Sequence, residues 1–170
     1  MDRRDVAEAL AKPIAQELLG SSIPARLAYV GADGGPRVIP IGCWWTGAAL
    51  VMATTPNAPK VPALRARPNV AITIDRLDPW PPRMLLIRGA ARLEEVDGVP
   101  DEYIEGGRKV TPADLFEDWE RGVRELYERM VLVSVEPTWA KLIDFETTLP
   151  SPVEELMRAR ASGEGRLAGG

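Results

Sequence analysis

The chain has 170 residues, 45% hydrophobic and 27% charged, the size and make-up of one globular domain with a sizeable core. Its 21 basic and 25 acidic side chains leave a formal charge of -4, so no global field draws it to nucleic acid or an anionic membrane. Histidine is absent and Cys43 is the single cysteine, which excludes an intrachain disulfide, histidine-ligated zinc, Ser-His-Asp triads and Cys-His dyads.

The first twenty residues carry charges and Pro13 where a secretory signal needs an unbroken apolar stretch, and no run approaches the ~18 apolar residues of a membrane helix. A cytoplasmic location is the expectation. Val6, Leu10, Ile14 and Leu18 fall at helical spacing and predict an opening helix over 5–19, stopped at Gly20. Residues 25–30 and 37–45 read as two strands of a hairpin turning at Asp33-Gly34-Gly35, and 49–53 as a third strand of a meander. A proline-rich loop from Thr54 then gives way to a short helix that Pro68 stops. Strands follow at 70–74 and 84–96, separated by the Asp78-Pro79-Trp80-Pro81-Pro82 loop, with Gly89 suited to a bulge.

The clearest helix is predicted over 112–129, with Thr111 as N-cap and Phe116, Trp119, Val123, Leu126 and Met130 on one face. Glu117/Arg121, Glu120/Arg124 and Glu125/Arg129 are spaced as ion pairs on the other. Two last strands are expected at 131–135 and 139–145, then a tail over 151–170, Gly-rich and disordered from Ser162. Short strands with meander connections and late helices indicate a mainly β domain over 1–150, a barrel or sandwich, instead of alternating βαβ units.

Chemistry concentrates in Thr54-Thr55-Pro56-Asn57-Ala58-Pro59-Lys60, between a strand end and a helix start. Hydroxyls, an amide, free backbone N–H groups and a lysine there suit a phosphate; an ordinary proline turn with a solvated lysine is the alternative. Arg65 shares the helix face of Lys60 and Arg37 opens the second strand, so convergent cations are available, unless both are surface arginines. Trp44 and Trp45 point to opposite faces of a strand, and Trp80 is either a substrate-side wall or part of a structural proline–aromatic cluster.

The succession RLAYVGADGGPRVIPIGCWW, GAALVMATTPNAPKVPALRARPNVAITID and MLLIRGAARLEE resembles the core of the pyridoxamine 5'-phosphate oxidase-like flavin and deazaflavin oxidoreductases. The likeness covers 25–95 and extends less closely to 145. It implies a six- to seven-stranded antiparallel split β-barrel, the FMN-binding split barrel. It also implies a homodimer with the cofactor at the interface, the second chain reaching it from 139–145, and hydride transfer with a small-molecule substrate. Carried across, Arg37, Val38, Ile39 and Pro40 match the strand lining the flavin, Ala53 and Thr54 the pair at the ring and ribityl region, and Lys60 the phosphate lysine. Thr55, Asn57 and Arg65 complete the candidate cofactor set; no catalytic side chain is assigned and no metal is expected.

Two departures bear on the cofactor. The family's Ser-Arg before the lysine is Ala58-Pro59 here, and its flavin-contacting glutamine aligns with Met84. FMN is the expected cofactor, with weakened contacts, and the 5-deazaflavin coenzyme F-420 is the alternative. Haem, bound by a few members, fits poorly, since only Cys43 or a tyrosine is available as axial ligand and Cys43 reads as a core residue. Pyridoxamine phosphate oxidation itself is not expected, because TWAKLIDFETTLPS lacks the family enzyme's substrate contacts. A flavin carrier or a dimeric interaction module without enzymatic activity is the competing class.

Overall fold

The computed structural model describes residues 1–161. Two helices open the chain, α1 (Arg3–Ala11) and α2 (Pro13–Gly20). Asp2 and Asp5 reciprocally cap α1 through side chain to backbone N–H bonds. The single helix expected over 5–19 is thus two. Pro13 pushes Lys12 into an extended conformation (ψ 139°), which ends one helix and starts the next.

Strands β1 (Ala25–Val30) and β2 (Pro36–Ile41) form the expected hairpin, with Gly34 at φ 82° in the turn. The strand expected over 37–45 breaks at Gly42. Its second part, β3 (Cys43–Trp45), pairs with β4 (Leu50–Thr54) and not with β1. Next come α3 (Lys60–Ala66), β5 (Asn69–Arg76) and β6 (Arg83–Asp97), then α4 (Asp101–Arg108), α5 (Phe116–Leu126), β7 (Arg129–Ile143) and α6 (Ser151–Ala161).

The sheet is antiparallel throughout, in the order β2-β1-β5-β6-β7-β4-β3. Its two end strands, β2 and β3, are consecutive in the chain and joined only by Gly42, so the sheet curls round on itself. The result is a mainly β half-barrel with six helices among the described residues, the split-barrel architecture expected. Inside it Leu27, Leu50, Met52, Ile72, Leu85 and Val133 are buried, with Val6, Leu10 and Leu18 of the opening helices added to the same core.

Long strands β6 and β7 pair along their length, interrupted once: Arg88 faces Trp139 and Gly89 faces Pro137, so Thr138 is the extra residue of a bulge. A Cβ on Gly89 would lie 2.5 Å from the Glu136 carbonyl oxygen, so the close strand approach there requires glycine. Pro137 has no N–H to pair and is tolerated at the bulge. The two final strands expected at 131–135 and 139–145 are therefore one bent strand.

Helices α4 and α5 form an insertion that leaves the sheet at Asp97 and returns at Arg129, residues that face each other. The helix expected over 112–129 is shorter. Thr111 is not its cap, residues 112–115 make a turn, and Arg129 already belongs to β7. Of the expected ion pairs only Glu120–Arg124 forms (3.0 Å); Arg121 pairs with Asp118 and Arg129 with Asp97. Helix α4, with two glycines in eight residues, has no clear signature in the sequence. Helix α6 occupies the first part of the tail expected from 151, and the disorder expected from Ser162 lies outside the described residues. No helix among the described residues is long and apolar enough to cross a membrane.

Candidate functional site

The last residue of β4, Thr54, is buried, and the loop after it folds back so that Lys60, first residue of α3, donates from Nζ to Thr54 Oγ1 at 2.9 Å. Two tight turns shape that loop: Ala58 N–H donates to the Thr55 carbonyl and Val61 N–H to the Ala58 carbonyl. Ala58 and Val61 pack under Val131, which fixes the loop against the barrel wall. Lys60 is half-buried, and no carboxylate among the described residues forms an ion pair with it. Loss of hydration pulls its ammonium below the ordinary lysine value.

Lys60 borders an open depression of about 240 Å³. Ile39, Pro40 and Ile41 of β2 form one wall, and Ala53, Thr54 and Thr55 another. Tyr103 of α4, Tyr127 after α5 and Met130 of β7 close it from the insertion. Thus six of the ten candidate residues, Ile39, Pro40, Ala53, Thr54, Thr55 and Lys60, come together around one space.

The other four lie elsewhere. Arg37 folds onto its own hairpin, bonding Asp33 (2.6 Å) and the Pro36 carbonyl. Val38 is 64% exposed. Asn57 lines a neighbouring depression with Tyr127 and Arg129. Arg65 pairs with Glu95 of β6 at 2.6 Å, turned away from the space in which the helix-face spacing put it. Sequence reasoning missed Tyr103, Tyr127 and Met130, which lie beyond the closely matching stretch 25–95. Their only signal is position, in or next to the inserted helices.

The sequence profile of pyridoxamine 5'-phosphate oxidase matches residues 11–137. The chain belongs to that family. No curated relative matches it. Among solved structures, an F420 reductase is 28% identical, with 74% of this chain and 94% of that one covered and a TM-score of 0.56. The General Stress Protein 26 of Bacillus anthracis is 20% identical over 79% of this chain and 95% of its own, at a TM-score of 0.57. HutZ, the haem storage protein of Vibrio cholerae, is 17% identical over 78% of this chain and 93% of its own, at 0.54.

In this pyridoxamine 5'-phosphate oxidase family member the depression combines one cation with apolar strand walls and two phenols. Burial holds the Tyr103 hydroxyl above its ordinary pKa, with Tyr127 close enough to add to the effect, so Tyr103 stays a neutral hydrogen-bonding group. Tyr103 also stacks on Trp119 of α5, ring centroids 6.2 Å apart, and Trp119 lies against Phe116 at 5.6 Å. This aromatic row fastens α4 to α5 and thereby sets Tyr103 over the depression. Trp80, by contrast, stands 80% exposed in its proline loop and lines none of these depressions.

Proposed function

We propose that this chain is an oxidoreductase that holds the phosphate of a flavin-type cofactor on Lys60 and exchanges hydride with a small molecule. The observation that carries this is the half-buried Lys60 ammonium, bonded to a hydroxyl, without a carboxylate partner among the described residues, and facing an apolar wall. A partly desolvated cation without a counter-ion favours an anionic ligand. The residues present fit a phosphate beside a flat ring: Lys60 and Thr54 for the phosphate, and Ile39, Pro40, Ala53 and Met130 for apolar contact with the ring.

Such a cofactor, when bound, supplies the hydride chemistry itself. The chain's residues anchor the phosphate, orient the ring and, through Tyr103 and Tyr127, keep water off one side. No nucleophile or imidazole base is required, in keeping with a histidine-free chain.

Charge at the phosphate itself discriminates between the two cofactors. FMN ends in a phosphate monoester carrying nearly two negative charges at neutral pH, whereas coenzyme F-420 carries one on its phosphodiester and its other negative charges on the carboxylates of its tail, away from the phosphate. Lys60 is the one cation among the described residues lining the depression, since the family's arginine position is Pro59. This balance, with the likeness to an F420 reductase, favours coenzyme F-420 over the FMN expected from the sequence. FMN stays as the second reading because the family match itself is to pyridoxamine 5'-phosphate oxidase. The proposal includes a cytoplasmic homodimer with the cofactor at the interface.

Titration of the protein with coenzyme F-420 and with FMN, followed by ligand fluorescence, tests the reading. Saturable binding of coenzyme F-420 at lower concentration than FMN is expected. Binding of neither overturns it in favour of a cofactor-free module, and binding without turnover of any reductant points to a carrier.

A further inference from the structure

A second cavity, of about 270 Å³, adjoins the Lys60 depression at Tyr103. The two spaces share that side chain and lie along the same run of chain, since Ile41 borders one while Gly42 and Cys43 border the other. Ile23, Pro24, Tyr103, Val110 and Trp119 give the second cavity apolar and aromatic walls. Gly106 and Gly107 of α4 contribute bare backbone, which leaves room beside the rings. Polar groups are few: Ser21, Ser22, the Cys43 thiol and Lys109, whose Nζ donates to the Gly20 carbonyl at the end of α2. Burial keeps Cys43 in its neutral thiol form.

We infer that this cavity binds a neutral, largely hydrocarbon ring compound of about two rings bearing one oxygen. Its volume suits a ligand of that size, the aromatic faces of Tyr103 and Trp119 suit a planar one, and the remaining Lys109 protons offer donors to one acceptor. Lys109, unlike the half-buried Lys60, is exposed, so water answers its charge and a neutral ligand suffices. Assigning that compound as the substrate of the neighbouring cofactor site rests on the proposed function; binding itself does not.

The single cysteine makes the test direct. Methylmercury chloride, which binds a thiol without prior ionisation, is the labelling reagent for Cys43 in the cofactor-free protein, and 2-naphthol is the probe. Saturating 2-naphthol is expected to slow labelling at least fivefold and to raise the melting temperature. A Cβ on Gly106 meets nothing within 4 Å, so Gly106→Leu fills the cavity without a clash at the backbone, and both effects of 2-naphthol should vanish in that variant. Labelling and melting temperature unmoved by millimolar 2-naphthol in the wild-type protein overturn the proposal, as do effects that persist in Gly106→Leu. Because no cofactor is present, failure here is distinct from failure of the cofactor titration.

Discussion

Lys60 is a cation held by a hydroxyl, an arrangement that leaves most of its charge unanswered. Replacing it with methionine keeps the length and apolar contacts of the stem and removes only the ammonium. Lys60→Met should therefore leave the melting temperature nearly unchanged while weakening cofactor binding by about 1–3 kcal/mol, the scale of one charge-assisted hydrogen bond to phosphate. Isothermal titration calorimetry reads the affinity and a thermal unfolding scan the melting temperature. Unchanged affinity would put the phosphate elsewhere, for example near Arg129 beside Asn57. Thr54 shows why the site was partly legible: a polar residue ending an apolar strand six positions before a lysine marks a folded-back loop. Arg65 shows why it was not wholly so. Helical spacing places a side chain on a face but does not say which acidic neighbour, here Glu95 on a distant strand, will claim it.

Among the elements, the barrel strands were legible because alternation, turn dipeptides and Gly89 agree with one another. The insertion was not. Its hydrophobic pattern over 112–129 ran into Met130, which is a strand residue buried from β7, so period alone merged a helix with the strand after it. Helix α4 is held by packing instead of propensity, and its adjacent glycines separate the two effects. A Cβ at Gly107 would overlap the Trp119 ring, whereas one at Gly106 meets nothing within 4 Å. Gly107→Ala should destabilise the protein by about 1–3 kcal/mol through overpacking. Gly106→Ala should be neutral or stabilise by up to about 1 kcal/mol through helix propensity. Urea unfolding of the pair measures the difference; equal effects would mean that α4 does not rest on Trp119.

The loop after β7 is set by one carboxylate. Asp144, 1% exposed, accepts from the backbone N–H groups of Glu146, Thr147 and Thr148 and from the Thr147 hydroxyl, while Phe145 takes a left-handed conformation (φ 57°). Burial opposes its ionisation, but the four hydrogen bonds outweigh burial and bring its pKa from 3.8 down to about 2. The folded state thus releases this proton more readily than the unfolded chain. Its stabilisation is complete above pH ~4 and is lost as pH falls through ~2, an effect of about 2 kcal/mol. Denaturation followed between pH 5 and pH 2 should show this loss in the wild-type protein. Asp144→Ala should be less stable at pH 7 and fall less steeply in that range; parallel curves for the two proteins would remove Asp144 as the cause.

Over the whole molecule, the insertion packs α4 onto its aromatic row but leaves much of α5's apolar face in water. Leu126, the last residue of α5, is 69% exposed, and Leu115, just before its first, 54%. Leu126 also borders the depression that Asn57 and Tyr127 line, next to the Lys60 site. A second copy covering this face would bury the leucines and at the same time close the open side of the cofactor space, which ties assembly to binding. The proposed homodimer therefore predicts a mass twice that of the chain by light scattering at micromolar concentration. Leu126→Glu should shift that mass toward one chain and weaken cofactor binding in parallel, because a buried carboxylate at the contact is costly and the space it covers reopens to water. A monomeric wild-type protein that binds cofactor as tightly as ever would separate the two, leaving Tyr103 and Tyr127 of the same chain as the only cover the cofactor has.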